Sequence, residues 1–333
     1  MKAVVFTRYG SPDVLELRDV EKPRPKEDEV LIRVHAASLN DWDWEALHGT
    51  PFVNRLMFGL LRPTKQILGS DVAGRIEAVG RNVLRFKPGD EVFGDLSGRW
   101  GGFAEYVCAR ENELELKPPG MRFEQAAAIP QAGLLALQGL RDLEHRQPGQ
   151  KVLINGAGGG AGTFAVQIAR LYGAEVTGVD SPEKLEMLRS MGVEHVIDYT
   201  REDFTRNGKC YDLILDVKAT RSIRDCARAL GPNGTYVALG GSMARLVPGL
   251  LSAPWIAMTT HKTIRLLMLK RNQGLADMKQ LFEASKMVPV IDGPYELNEV
   301  PRAFRRFGEG LHKGKVVITV ASDLRDESAG ART

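Results

Sequence analysis

Residues 154–180 read INGAGGGAGTFAVQIARLYGAEVTGVD, with five glycines in the seven positions from Gly156 to Gly162. Lys151 to Ile154 has the look of a short buried strand, and from Thr163 the apolar residues Phe164, Ile168, Leu171 and Tyr172 recur at helical spacing. The glycines therefore sit on a strand-to-helix turn, where bare backbone and the positive end of a helix dipole make an anion site suited to phosphate. Asp180 closes the next apolar run, Glu175 to Val179, 18 residues beyond Gly162. That is close to the spacing at which a second-strand carboxylate meets an adenine ribose. The candidate dinucleotide site is Gly156, Ala157, Gly158, Gly159, Gly160, Ala161 and Gly162 for the pyrophosphate, with Asp180, Ser181 and Lys184 beside the ribose. A carboxylate at Asp180 repels a 2′-phosphate, which favours NAD(H); a rotated Asp180 would leave Ser181 and Lys184 to receive one, so NADP(H) stays open.

Charge and cysteine content exclude several classes. Forty-five basic and 42 acidic residues are interspersed, and the net charge of +3 gives no field to steer nucleic acid. The densest basic stretch holds Arg302, Arg305, Arg306, His312, Lys313 and Lys315, is interrupted by Glu309, and reads as a solvated face. Cys108, Cys210 and Cys226 are too far apart for a zinc ribbon and form no disulfide framework. With no secretory leader in MKAVVFTRYG and no apolar run of spanning length, the expectation is a cytoplasmic protein with no membrane partner.

The texture changes along the chain. Residues 1 to about 120 alternate apolar and polar in short runs (VLELRDV, EVLIRVHAASL, AGRIEAVG, DEVFGDL) between turns such as PRPKEDE and KPGD, an antiparallel β region with few helices. From about 125 to 240, strands at 151–155, 175–179, 195–198, 212–217 and 235–239 alternate with helices, as in a parallel sheet with crossovers. After Pro254, Thr263–Leu269 and Lys315–Val320 read as strands, Gly274–Ser285 and Val300–Phe307 as helices. The fold class is α/β.

YGSPDVLEL, AASLNDWD, GSDVAGRIEAVG, RFKPGDEVFG, GGFAEYV, AAAIPQAGLLALQGL, the glycine turn and HKGKVVI together resemble the zinc-independent, quinone oxidoreductase-like branch of the medium-chain dehydrogenase/reductase family, over residues 1 to 320. The polar tail at 322–333 reads as disordered. The resemblance implies a GroES-like β-rich catalytic domain at 1–124, a Rossmann doubly wound parallel-sheet domain at 125–262 and a return to the catalytic domain at 263–321. It also implies a cofactor between the domains and a homodimer, with 263–269 pairing with its copy.

Zinc alcohol dehydrogenases place Cys, His and Cys where this chain has Leu39-Asn40, Ser70 and Gln131, so the resemblance implies no metal. It points to Asn40 and Asp43 as the polar catalytic pair, to Gly240, Gly241 and Ser242 near the nicotinamide, and to Lys315 at the cofactor. Trp42, Trp44, Phe52 and Phe58 are the substrate-pocket candidates. Asn40 and Asp43 read equally well as loop caps, and Lys315 as a surface lysine at a strand edge. Asp71, Tyr106 and His48 are weaker candidates. Leu135 stands where the family usually has Thr, a lost hydroxyl contact to the cofactor. The expected activity is hydride transfer from NAD(P)H to quinones, enones or aldehydes. The alternative is a nucleotide-binding protein that has lost turnover, which Leu135 fits.

Overall fold

A computed structural model of the chain describes residues 1–145, 147–240, 253 and 258–320. The chain divides into two compact units, one of Met1–Gln131, Arg271–Glu283 and Val288–Thr333, the other of Ala132–Lys270 and Ala284–Met287.

The first unit begins with strands β1 (Lys2–Val5), β2 (Glu16–Asp19) and β3 (Glu29–Ser38), then helices α1 (Asp41–His48) and α2 (Arg55–Phe58). Strands β4 (Asp71–Val79), β5 (Glu91–Asp95), β6 (Tyr106–Arg110) and β7 (Glu115–Leu116) and helix α3 (Phe123–Ala128) follow, and α4 (Pro130–Gly139) leads into the second unit. That unit carries β8 (Lys151–Asn155), α5 (Gly160–Leu171), β9 (Glu175–Asp180), α6 (Pro182–Ser190), β10 (His195–Asp198), β11 (Tyr211–Asp216), α7 (Ile223–Arg228), β12 (Leu230–Ala238) and β13 (Thr263–Leu266). The chain returns to the first unit with α8 (Leu275–Glu283), β14 (Ile291–Glu296), α9 (Val300–Gly308) and β15 (Lys315–Thr319).

In the first unit a seven-stranded sheet runs β14-β15-β3-β4-β5-β7, with β6 also on β3. β3 pairs with β15, β4 and β6, so nine of its ten residues are buried and the alternation read in EVLIRVHAASL does not mark a wet face. Glu29 at its start is tolerated because Arg99 pairs with it at 2.7 Å. Helix α9 buries Val300, Ala303 and Phe304, the i, i+3, i+4 stripe of an amphipathic helix. Its arginines pair outward, Arg302 with Glu299 at 2.8 Å, Arg305 with Asp13 and Arg306 with Asp292 at 2.8 Å. Those pairs neutralise the three arginines of the densest basic stretch.

The second unit is a parallel sheet in the order β10-β9-β8-β11-β12-β13. Numbered from β8, this is 3-2-1-4-5-6, the doubly wound order whose direction reverses between β8 and β11. A register shift between β11 and β12 accompanies Gly231-Pro232, which β12 carries inside it. Two boundaries differ from expectation. α3 packs on β3 and β4, so the first unit runs on to Gln131. β13 pairs parallel with β12, so Thr263–Leu266 extends this sheet and the return begins at Arg271. Most of the apolar stretch 244–263 and the tail at 322–333 lie outside the described residues.

Candidate functional site

The glycine turn stands at the reversal point of the parallel sheet. Gly156 N–H and Ala157 N–H donate to Val179 O at 2.9 and 3.1 Å, which fixes the turn against the end of β9. Gly156 has φ +88°, a region closed to most side chains. At Gly162 the constraint is space, because a Cβ there would lie 2.1 Å from Gly156 O and 2.6 Å from the Ala157 carbonyl. A side chain at 162 would push α5 off the turn. The first N–H groups of a helix have no partner within it, so α5 presents donors and a positive dipole end toward the space over the turn.

Asp180 is built into this turn. One of its carboxylate oxygens accepts from Gly158 N–H at 2.7 Å, the other from Ser181 N–H at 2.9 Å, and Lys184 Nζ lies 3.5 Å away. A Cβ on Gly158 would stand 2.8 Å from Lys184 Cδ and 3.2 Å from the Asp180 carboxylate. Gly240 follows β12, with Val217 O 3.6 Å from where its Cβ would be; Gly241 and Ser242 lie outside the described residues.

Sequence reasoning missed the neighbouring strand ends. Asn155 Nδ2 donates to Asp216 at 2.8 Å, Ala219 N–H at 2.7 Å, and Tyr236 Oη–H at 2.9 Å. Burial is the main cause that raises the Asp216 carboxyl and the Tyr236 phenol above their usual ranges. The signal was available, since Asp216 ends the apolar run YDLILD as Asp180 ends EVTGVD.

In the first unit, a buried polar cluster joins five stretches of chain. Lys315 Nζ donates to Asn40 Oδ1 at 2.5 Å, Leu39 O at 3.1 Å and Asp71 Oδ2 at 3.2 Å. The same Asp71 oxygen accepts from Asn40 Nδ2 at 2.9 Å and Ser38 Oγ at 3.1 Å, while Asp71 Oδ1 accepts from Gln131 N–H at 3.2 Å. Asp43, at the third position of α1, accepts from Asn40 N–H at 3.0 Å, Ser70 Oγ at 2.9 Å and Gly69 N–H at 2.9 Å. Burial pushes its carboxyl up to about 6, partly offset by those three donors.

The cluster continues through Gln131 Nε2, which donates to Ser97 Oγ at 3.0 Å, and through Ser97, which donates to Asp95 Oδ1. Asp95 Oδ2 is buried and makes no hydrogen bond. Burial first, then the charge of Asp71, push the Asp95 carboxyl up to about 7. Lys315 was read with a strand-edge surface position as one alternative; β15 lies between β14 and β3, and the side chain is 2% exposed.

The four aromatic candidates part company. Trp42 packs edge-on against Phe58 with ring centres 6.3 Å apart, and Phe58 against Trp100 at 5.1 Å. Trp44 turns the other way, onto His48 and Phe307, close enough that a Cβ on Gly308 would meet its ring at 2.0 Å. Phe52 is 65% exposed, with the Arg55 guanidinium 5.5 Å from its ring centre. Tyr106 lies under Lys22, and His48 Nδ1 is 2.9 Å from Trp44 O.

Zinc does not fit the cluster. An ammonium already fills the space between Asp71 and Asn40, the cluster's aspartates are taken up by hydrogen bonds within it, and it offers neither the thiolate nor the imidazole that Zn²⁺ favours. Among the described residues no group of three or more His, Cys, Asp or Glu is placed to hold a metal.

Residues 26–119 match the alcohol dehydrogenase GroES-like domain family, and residues 191–318 the zinc-binding dehydrogenase family. The chain is 33% identical to 2-methylene-furan-3-one reductase of Solanum lycopersicum over 330 residues, 96% of this chain and 79% of the relative. It is equally similar, with the same coverage, to the NADPH-dependent alkenal/one oxidoreductase, chloroplastic, of Arabidopsis thaliana. The solved quinone oxidoreductase of Coxiella burnetii superposes with a TM-score of 0.86 at 30% identity, covering 96% of this chain and 99% of that one. The chain belongs to the medium-chain dehydrogenase/reductase family, in its quinone oxidoreductase-like branch. It is an oxidoreductase that uses a nicotinamide cofactor.

The cytoplasmic expectation does not stand. Similar proteins from Arabidopsis thaliana and Spinacia oleracea are chloroplastic and one from Mus musculus is mitochondrial. Unpaired cysteines fit any reducing compartment, so cysteine usage could not select among them.

Proposed function

We propose that this chain reduces quinones and enones with a nicotinamide nucleotide, NADH in preference to NADPH, and without zinc. The observation that carries the reading is the side-chain-free turn at Gly156–Gly162, at the reversal point of a 3-2-1-4-5-6 sheet, in a chain whose relatives are named reductases of quinones, alkenals and a furanone. The residues fit the group: α5 and the turn would take the pyrophosphate, and Asp180 the ribose. When bound, the cofactor supplies the hydride.

The chain supplies the rest. A conjugated acceptor suits a site without a Lewis acid, because a reduced quinone is a phenolate whose conjugate acid has a pKa of about 10, far less basic than an alkoxide. In this reading Lys315, Asp71 and Asp43 hold Asn40 and the Ser70 loop in one arrangement, doing by hydrogen bonds what metal ligation does in zinc dehydrogenases. Trp42 and Phe58 form the apolar side of the substrate space. The buried carboxylate of Asp180 disfavours a 2′-phosphate by about 4 kcal/mol per unit charge at 4 Å and intermediate dielectric.

Steady-state assays with metal-free protein test both parts. Quinone- or enone-dependent oxidation of NADH is expected, and Asp180→Ser is expected to lower the NADH-to-NADPH ratio of kcat/KM at least roughly tenfold, a fraction of that repulsion. Wild-type preference for NADPH would overturn the cofactor assignment. Consumption of neither nucleotide with any acceptor would favour the silent-binder alternative.

A further inference from the structure

The even charge balance of the whole chain conceals one uneven segment. Residues 50–69, TPFVNRLMFGLLRPTKQILG, contain Arg55, Arg62 and Lys65 and no acid, a local +3 equal to the net charge of the entire chain. Of the fifteen large apolar side chains that are well exposed among the described residues, five lie in this stretch: Phe52, Val53, Leu56, Leu60 and Leu61. Leu56 is 72% and Leu61 87% exposed, while Phe58 between them is buried under Trp42 and Trp100.

The patch is built on a fixed base. Thr64 N–H donates to Phe58 O at 2.7 Å, Gly59 N–H to Arg55 O at 2.8 Å, and Tyr9 Oη–H to Gly59 O at 2.5 Å. Arg55 Nε donates to Gly49 O at 3.1 Å, with its guanidinium 4.6 Å from the Tyr9 ring centre. Arg62 and Lys65 are exposed and make no ion pair among the described residues. The facing carboxylate, Glu45, accepts from Asn54 Nδ2 at 2.8 Å, and burial raises its pKa.

We infer that residues 52–65 dock this protein onto the surface of a bilayer containing anionic lipid, with Leu56, Leu60 and Leu61 entering the headgroup boundary and Arg62 and Lys65 meeting the lipid charge. Exposed apolar side chains flanked by unpaired cations are what such a surface selects, by apolar burial and by attraction of each basic residue. The expectation of no membrane partner rested on the absence of a spanning segment, and no described helix is long and apolar enough to cross a membrane; lying on one needs only a patch. Self-association is the poorer occupant, because two copies of a +3 face would meet.

Flotation of the full-length protein with vesicles tests this, using phosphatidylcholine alone and phosphatidylcholine with phosphatidylglycerol. Salt-sensitive recovery with the anionic vesicles is expected. Arg62→Glu/Lys65→Glu is expected to lower it at least roughly tenfold, from roughly fivefold per basic residue. Leu56→Ser/Leu61→Ser is expected to lower it by a similar factor, and Leu84→Ser, at an isolated and equally exposed leucine, to leave it unchanged. Turnover of a soluble short-chain quinone should be the same in all of these, so loss of docking is separable from loss of the proposed activity. The assignment is overturned if wild type does not float with anionic vesicles, if Leu84→Ser matches the double leucine variant, or if that variant abolishes a dimer. It is equally overturned if the double leucine variant alters the preference for longer alkyl enones with no vesicle binding in wild type.

Discussion

The glycine turn of the second unit and the lysine cluster of the first are built on opposite principles. At the turn, the proposed function comes from side chains that are missing: a single Cβ at Gly162 would sit 2.1 Å from a carbonyl oxygen. At the cluster it comes from side chains that fill the space, where one ammonium donates to Asn40, Leu39 and Asp71. In the proposed reading the first is a cradle for the cofactor's pyrophosphate, and the second holds by hydrogen bonds the place that zinc takes in zinc dehydrogenases. In that reading one charged side chain, bridging three acceptors, keeps the first unit's site rigid.

The most damaging way to break the contrast is to fill the cradle. Gly162→Val should lower kcat/KM roughly a hundredfold or more, the effect of displacing the bound cofactor by about an ångström, and should weaken nucleotide binding in calorimetry in parallel. Retained binding would show that the turn is not the cradle. Emptying the cluster comes next. Lys315→Met leaves Asp71 buried without its cation and should destabilise the protein by about 3–5 kcal/mol in urea unfolding. Adding Asp71→Asn should recover much of that loss, since the buried charge then goes too, whereas additive losses would mean that the two side chains act separately.

A finer test uses pH. Asp43 and Asp95 have folded pKa values of about 6 and about 7, above the ordinary aspartate value, chiefly because burial penalises their charged forms. Between pH 4 and 7 the folded state thus holds more protons than the unfolded state, so these groups stabilise most at low pH and progressively less as pH rises through 6 and 7. Asp95→Asn should flatten this decline, measured as unfolding free energy at several pH values; an unchanged slope would place the proton elsewhere. The smallest effect is expected at His48, which packs tilted against Trp44 outside both sites. His48→Gln should leave kcat/KM within about twofold and stability within about 0.5 kcal/mol.

The two regions also differ in how far the sequence reveals them. The turn, its helix and Asp180 lie within 27 consecutive residues, so periodicity and spacing were enough to find them. The cluster draws Ser38, Asn40 and Asp43, then Ser70 and Asp71, Asp95 and Ser97, Gln131, and Lys315 from five distant stretches, which only the sheet order brings together. Resemblance to a family supplied Asn40, Asp43, Asp71 and Lys315 one at a time, and nothing local said that they touch. Asp95 was missed because a strand-end acid before a loop looks like a solvated cap until Gln131 and Ser97 close over it. Trp44 and Phe52 share the aromatic pattern of Trp42 and Phe58, yet α1 turns one of them toward Phe307 and the core, and the other stands in solvent.

The central claim is that a nicotinamide nucleotide on the Gly156–Gly162 turn passes hydride to a conjugated carbonyl without a metal. Single-turnover absorbance of protein-bound NADH, in protein stripped with a chelator and assayed for residual zinc, tests it directly. The account predicts rapid loss of the reduced-nicotinamide signal when a quinone or enone is mixed in, unchanged by added zinc. A signal that persists with every acceptor, or that decays only after zinc is restored, would contradict it.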